Sequence, residues 1–173
     1  MRNFNHKIFR ESGLLNNGGK ALHRGIEVSG AIYPVEGLKL YGSGAIQRAT
    51  IEYGMNKGNR VPYAPCYTAT AGAKYQCGVG EGTLTTNVYG NFVSSQFSDL
   101  ANTLEGSANG NVGLIPKFFL LNATANYSIK KWNVNLNALN LLNRKYFTTR
   151  HSAWGGIMPA ATISVLAGVG YQF

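Results

Sequence analysis

The chain has 173 residues, of which only 13% are charged, about half the share found in an ordinary soluble protein. It carries 16 Lys and Arg against 7 Asp and Glu, with 22 Gly and 10 Tyr, a composition that is unlike a soluble enzyme. No apolar run approaches the roughly 20 residues that a transmembrane helix requires. If the chain meets a bilayer, it therefore does so as a β-barrel, whose signal per strand is weaker.

The strands predicted from residue alternation follow one another along the whole chain. A strand places successive side chains on opposite faces, so apolar and polar residues alternate where one face is buried or meets lipid. Turn sequences such as PVEG (34–37) and CGVGEG (77–82) separate the alternating segments. The predicted strands begin with a weak candidate and cover residues 2–10, 24–33, 38–53, 68–75, 84–97, 119–129, 132–138 and 161–173.

The closing stretch, AATISVLAGVGYQF, shows the alternation most clearly. Counting by twos places one apolar set on one face: Ile163, Val165, Ala167, Val169, Tyr171 and Phe173. The other face is small or polar apart from Leu166. A half-buried edge strand of a soluble sandwich is the alternative interpretation of this stretch alone.

The connections between the predicted strands alternate in length. PVEG, CGVGEG and IKKW are short, whereas long loops are expected after residues 10, 53, 97 and 148. Short turns on one side and long loops on the other are typical of an outer-membrane barrel with periplasmic turns and extracellular loops. We therefore predict an all-β antiparallel meander of about eight strands, with both chain ends on the periplasmic side.

The side chains on the two predicted faces favour the same class. Asn133, Asn135 and Asn137 suit a wet lumen, although a β-sandwich with these residues facing solvent is the alternative. Aromatic residues lie near strand ends on the apolar face, where an interfacial girdle would sit: Tyr127, Trp132, Tyr171 and Phe173. We expect the apolar registers of residues 119–129 and 163–173 to face lipid.

The net charge of +9 raises the question of an anionic partner. Lys and Arg are scattered rather than clustered, and no nucleic-acid-binding motif is present. Attraction for an anionic ligand or for lipopolysaccharide phosphate fits this distribution better than nucleic-acid binding does.

Neither a metal site nor a catalytic constellation stands out. Cys66 and Cys77 bracket one predicted strand, about 36 Å apart if extended, so they should not form a disulfide with each other. The three histidines, His6, His23 and His151, are far apart in the sequence. Motifs of hydrolases, P-loop proteins and zinc proteases are absent. We therefore expect no enzyme activity and no cofactor.

Several stretches resemble the carboxy-terminal part of TonB-dependent outer-membrane receptors. These are GKALHRGIEVSGAIYPVEGLKLYGSGA, NRVPYAP, the penultimate-strand segment NVNLNALNLLNRKYF and the closing strand that ends in Phe173. Two further stretches, SSQFSDLANTLEGSANGNVGLIP and YFTTRHSAWGGIMPA, are similar to the ferric dicitrate receptor branch. The resemblance implies a 22-stranded barrel with an amino-terminal plug, of which this chain would supply about the last eight strands.

The resemblance also accounts for the amino terminus. MRNFNHKIFRESG has basic residues but no apolar core of a signal peptide. We expect residues 1–173 to be a carboxy-terminal barrel segment, with signal peptide and plug absent, and its first and last strands not to pair with each other. A small stand-alone eight-stranded outer-membrane barrel, structural or adhesive, is the alternative.

The function implied by the resemblance is uptake of an iron chelate, possibly ferric citrate. The iron would arrive wrapped in its chelator, so the protein would need no metal ligands, and the TonB complex would act through the plug. Candidate ligand-binding residues in the predicted extracellular loops are Lys57, Arg60, Arg150, His151 and Trp154. Tyr171 and Phe173 would be the signal that the barrel-assembly machinery reads. Ala153 and Trp154 precede the GG of the last loop where the citrate branch tends to carry Asn, which leaves another ferric chelate or a haem-like ligand open.

Overall fold

The computed structural model describes residues 3–11, 14–151 and 156–173, with side chains for residues 20–150 and 156–173. Every regular element in these ranges is a β-strand, and within them no helix suits a membrane crossing. The strands are β1 Asn3–Glu11, β2 Leu14–Val35, β3 Leu38–Ile51, β4 Tyr67–Val79, β5 Gly82–Val93, β6 Gln96–Phe97, β7 Leu114–Ile115, β8 Phe118–Ile129, β9 Trp132–Leu139, β10 Phe147–His151, β11 Gly156–Pro159 and β12 Ser164–Tyr171.

Eight of these strands form one antiparallel sheet in the order β1-β2-β3-β4-β5-β8-β9-β12. The order follows the chain, so the predicted meander of eight strands is confirmed. Strands β1 and β12 lie at the two edges of the described sheet, as expected. The two short pairs β6–β7 and β10–β11 lie outside the large sheet, within the long connections.

One sequence prediction about a connection was wrong, and another connection contains structure that alternation did not predict. The long loop expected after residue 10 is replaced by β-structure, because β1 runs to Glu11, β2 begins at Leu14, and the two strands pair antiparallel. The loop after residue 148 contains the β10–β11 hairpin, with Arg150 opposite Ile157. Residues 14–23, LLNNGGKALH, show no regular alternation of apolar and polar residues, so alternation does not predict the strand there.

The register of the sheet aligns the apolar sets of neighbouring strands. Ile26 lies opposite Ile46, Ala123 opposite Ala138, and Val169 opposite Val134. The resulting surface, which we call the apolar face, has large side chains that are each 37–73% exposed: Ile26, Val28, Ile32, Leu40, Ile46, Val88, Phe119, Val134, Leu136, Val165 and Val169. A continuous exposed apolar surface of this kind is not stable against water. The predicted registers of residues 119–129 and 163–173 share this face.

The opposite surface, which we call the polar face, is organised by hydrogen bonds between side chains. The Tyr41 hydroxyl on β3 donates to Asn87 Oδ1 on β5 at 3.0 Å, passing over the intervening strand β4. Gly72 makes this crossing possible, because a Cβ there would lie 2.6 Å from the Tyr41 ring and 2.8 Å from Tyr89 Cβ. Asn133 Nδ2 donates to Asn126 Oδ1 at 2.9 Å, so the predicted Asn row lies on this face.

The short-turn end of the sheet carries aromatic and charged side chains. The rings of Trp132 and Tyr171 lie edge to face with centroids 4.8 Å apart, and Phe173 continues the contact at 5.3 Å from Tyr171. Lys130 and Glu81 form an ion pair of 2.7 Å between two turns. Cys66 and Cys77, both free, lie near opposite ends of β4.

Candidate functional site

The long connections gather at the end of the sheet opposite the short turns. We call residues 52–66, 98–113 and 140–163 the loop layer. A small apolar cluster supports it, formed by Ala21, Ala49, Ile51 and Val61, with Ala64 and Leu100 packed against it. Val61 is 1% exposed, so the 52–66 loop folds back over β2 and β3 instead of extending into solvent.

Amide side chains join the first two loops of the layer. Asn102 accepts a hydrogen bond from the backbone N–H of Arg60 at 2.7 Å and donates through Nδ2 to the Arg60 carbonyl at 2.9 Å. Asn59 Nδ2 donates to the Leu100 carbonyl at 2.9 Å. These bonds pair side chains with main chain across about forty residues of sequence, so the two loops hold each other in place.

Arg150 joins the second and third loops. Its guanidinium donates to the carbonyls of Gly110 at 2.9 Å and Leu114 at 3.2 Å, and lies 5.1 Å from the centre of the Phe147 ring. Its Nε is buried and has no hydrogen-bond partner among the described residues. Two of the five N–H donors of this guanidinium therefore bind main-chain carbonyls at Gly110 and Leu114, which joins the second connection to β10.

Tyr63 links the first loop to the third. Its hydroxyl donates to the Arg150 carbonyl at 2.7 Å, and burial raises the pKa of this phenol. Tyr63 adopts φ 57°, in the left-handed region that non-glycine residues rarely enter. A strained backbone that persists at a contact between loops indicates that the surrounding bonds over-determine its position.

The segment after β9 is held by Asn140, whose side chain is 3% exposed. Asn140 Nδ2 donates to the carbonyls of Arg144 at 2.9 Å and Ala161 at 3.2 Å, while its Oδ1 accepts from the Arg144 N–H. Asn140 and Asn143 both have positive φ, at 53° and 48°. The NLLNRKY stretch (140–146), which is part of the family resemblance, thus reverses the chain direction between β9 and the last loop.

The candidate ligand-binding residues do not form one cluster in the described structure. Lys57 and Arg60 are exposed and line cavities beside the middle of β2 and the loop-side end of β3, whereas Arg150 lies within the contact between loops. His151 ends β10, but its side chain lies outside the described part, and Trp154 lies outside the described residues altogether. Among the residues that the structure describes, no group of His, Cys, Asp and Glu has a metal-binding arrangement.

Sequence reasoning missed Asn59, Asn102 and Asn140 as organising residues. Asn adopts the left-handed backbone more readily than most residues, and its side chain bonds readily to main chain. Asn residues within predicted loops are therefore the sequence signal that could have identified these three. Tyr171 and Phe173, proposed as an assembly signal, lie exposed at the other end of the sheet from the loop layer.

Comparison with known proteins places the chain in context. Residues 3–141 match the family described as TonB dependent receptor-like, beta-barrel. The chain is similar to the solved structure of the ferric citrate transporter FecA in the unliganded form, with 30% identity over 88% of this chain and a TM-score of 0.77.

Two further solved structures show the same fold. They are BauA, the ferric preacinetobactin receptor from Acinetobacter baumannii, at 24% identity over 99% of this chain with a TM-score of 0.73, and FyuA, the ferric yersiniabactin uptake receptor from Yersinia pestis, at 23% identity over 91% with a TM-score of 0.67. This chain spans 24%, 26% and 23% of FecA, BauA and FyuA, about a quarter of each.

Proposed function

Because this chain belongs to the TonB-dependent receptor family of outer-membrane β-barrels, which it matches over residues 3–141, we propose that it forms part of a receptor for the uptake of a ferric chelate. The similarity to FecA, at 30% identity over 88% of the chain, is the observation that carries this proposal. The chain would contribute one arc of the barrel wall, toward the carboxy-terminal end, together with part of the extracellular loops.

The two faces of the sheet support a place in a wide barrel. The polar face carries amides and hydroxyls that bond to one another, such as the Asn126–Asn133 pair, and these groups suit a lumen with water or a plug. The apolar face is suited to lipid. The separate edges of β1 and β12 are available for pairing with further strands of a larger wall.

Ferric citrate is the first ligand to test. The support is the FecA similarity, together with the two loop stretches that resemble the dicitrate branch. Ferric citrate complexes are anionic, and the chain has a net charge of +9, so electrostatic attraction favours such a ligand. Direct contact of the chelate with Lys57, Arg60, Arg150, His151 and Trp154 stays a prediction, as does recognition of Tyr171 and Phe173 by the barrel-assembly machinery.

Arg150 has a definite role in this proposal. Since its guanidinium binds two loop carbonyls, it acts as a positioning residue that keeps the 98–113 loop against the β10–β11 hairpin. A layer held in one arrangement loses less conformational entropy when a ligand binds than a set of free loops would.

The test is uptake of radiolabelled iron by cells whose only ferric-citrate receptor contains this chain. We expect ferric citrate to be taken up in cells with the TonB complex, and to be bound without uptake in cells that lack it. Arg150→Gln should weaken binding by about fivefold through the loss of loop positioning, and a much larger loss would indicate direct contact of its guanidinium with the chelate. Lys145→Gln, a charge change at an exposed position five residues earlier, is the matched control.

The outcomes distinguish the identity of the ligand from the assignment as a receptor. Uptake of a different ferric chelate, with no binding of ferric citrate, would replace the ligand and leave the receptor assignment intact. If no ferric chelate binds or enters while the protein is correctly inserted in the outer membrane, the proposed function fails.

A further inference from the structure

Two arginines face each other across neighbouring strands. Arg24 on β2 lies directly opposite Arg48 on β3 in the antiparallel register, and both side chains are exposed. Like charges in directly opposite positions destabilise a strand pair. An anion bound between the two guanidinium groups would neutralise this repulsion.

A third arginine joins them from the first loop. Thr50 forms an isolated antiparallel bridge with Arg60, which places Arg60 on the same side of the sheet as Thr50 and diagonally next to Arg48. Arg24, Arg48 and Arg60 line one cavity of about 860 Å³. We call these three residues the arginine cluster.

The cluster belongs to the apolar face rather than to the polar face. Arg24 and Arg48 stand two positions from Ile26 and Ile46, and side chains two apart share a face. Ile26, Ile46 and Tyr67 line the same cavity as the arginines. The cavity thus combines three guanidinium groups with an apolar lining that continues into the membrane-facing surface.

The cluster has little neutralising charge from the protein. The one ion pair found in the described part of the chain is Lys130–Glu81, at the other end of the sheet. Glu52 lines an adjoining cavity with Lys57 and accepts a hydrogen bond of 3.2 Å from Thr50, whereas Glu27 on β2 is one position from Ile26 and lies on the polar face. The two cavities together are lined by three arginines, one lysine and one glutamate, which gives them a net charge of +3.

The height of the cluster matches a membrane boundary. Arg24 lies twelve positions from Glu36 in the short turn that follows β2, which is about 40 Å of strand and, at a tilt near 45°, about 28 Å along the membrane normal. The apolar band of an outer-membrane barrel is about 25 Å tall. Arg24 and Arg48 therefore stand just beyond the apolar band on the loop side, at the depth of lipid headgroups.

We propose that the arginine cluster binds the phosphate groups of the phosphorylated glycolipid, lipid A, in the outer leaflet of the outer membrane. Guanidinium groups bind phosphate oxygens in a bidentate manner, and the apolar surface next to them would pack against the acyl chains. If the cluster binds lipid A, Arg60 is a lipid contact in place of the chelate contact predicted above, because its bridge to Thr50 places it on the outer side of the barrel wall. It rests on the outer-membrane placement that the proposed function also uses, and not on the identity of the chelate.

The test measures lipid that remains bound to the receptor that contains this chain, purified in mild detergent from bacterial outer membranes. Native mass spectrometry would compare the wild type with the triple variant Arg24→Gln, Arg48→Gln, Arg60→Gln. The control is the double variant Lys130→Gln, Lys131→Gln, which removes positive charge at the periplasmic turn. We expect the triple variant to retain about tenfold less lipid A and the control to retain the wild-type amount, with both variants keeping the heat-modifiable folded band.

Added ligands then identify the chemistry. Lipid A with both phosphates should rebind to the delipidated wild type, and its dephosphorylated form should not. Equal retention of lipid by the triple variant and wild type would overturn the proposal, as would equal binding of dephosphorylated lipid A. Complete competition by inorganic phosphate at millimolar concentration would indicate a site for a soluble anion and would also overturn it. Loss of chelate binding with lipid retained would assign the cluster to the chelate, which defeats this inference while the receptor function stands.

Discussion

The wall and the loop layer of this protein are stabilised in different ways. In the wall, the large sheet repeats one rule, with apolar side chains on one face and polar side chains on the other, and neighbouring strands align these faces. In the loop layer, individual contacts such as Asn102 with Arg60 and Arg150 with Gly110 are each made once. We therefore expect the effect of a substitution in the wall on stability to depend on the face where it lies. In the loop layer, the effect should depend on the particular hydrogen bond that the substitution removes.

The largest effect should follow from placing a charge on the apolar face. Leu136 lies near the centre of β9 and is 46% exposed, so Leu136→Arg would place a guanidinium in the middle of the lipid layer. We expect a loss of about 2–4 kcal/mol in the free energy of unfolding, measured by urea titration in lipid vesicles. The control, Asn137→Arg, lies on the polar face of the same strand and should change the stability little. Equal losses for both variants would contradict the assignment of the two faces.

A smaller effect should follow from filling the space that Gly72 leaves. Gly72→Ala would push the Tyr41 ring and Tyr89 apart and break the hydrogen bond between Tyr41 and Asn87. We expect a cost of about 1–3 kcal/mol in the unfolding free energy, since overpacking and a lost bond act together. Gly78→Ala on the same strand is the control, because a Cβ there meets no atom within 4 Å. If Gly72→Ala and Gly78→Ala have equal unfolding free energies, the Tyr41 ring moves away from position 72 without a loss of stability.

In the loop layer, Arg150→Gln should act locally. Loss of the bonds to Gly110 and Leu114 is expected to raise the rate of proteolysis within residues 98–113 by about tenfold, which corresponds to about 1.4 kcal/mol of local opening. The unfolding midpoint of the wall should stay unchanged. Mass spectrometry of the proteolytic fragments identifies the cut sites. A shift of the global unfolding midpoint instead would show that wall and layer unfold as one unit.

The smallest effect should come from the ion pair between the short turns. Lys130 and Glu81 are only 2.7 Å apart, but their side chains are 75% and 69% exposed, so water and salt screen the attraction. Glu81→Gln should cost less than about 0.5 kcal/mol in urea unfolding at low salt. The difference from wild type should vanish at about 1 M salt. A larger cost that persists in salt would mean that the turns are coupled in another way.

The sequence alone was sufficient to predict most of the wall. Alternation predicted the apolar and polar faces, and turn residues such as those of PVEG predicted where strands reverse, because both signals act within a few residues of the chain. The prediction was weakest where the alternation was weak. It began β2 at residue 24, whereas that strand begins at Leu14, and it took the β10–β11 hairpin for a loop.

The tertiary structure alone decided how distant segments meet. The bond between Tyr63 and Arg150 spans 87 positions, and that between Asn102 and Arg60 spans 42. The sequence marked Arg60 and Arg150 as cationic loop residues, but only the fold separates them, one beside Arg24 and Arg48 on the apolar side and the other bonded to loop carbonyls. The physical reason is that alternation is a property of neighbouring residues, whereas the partner of a side chain across strands or loops depends on the register and path of segments far apart in sequence.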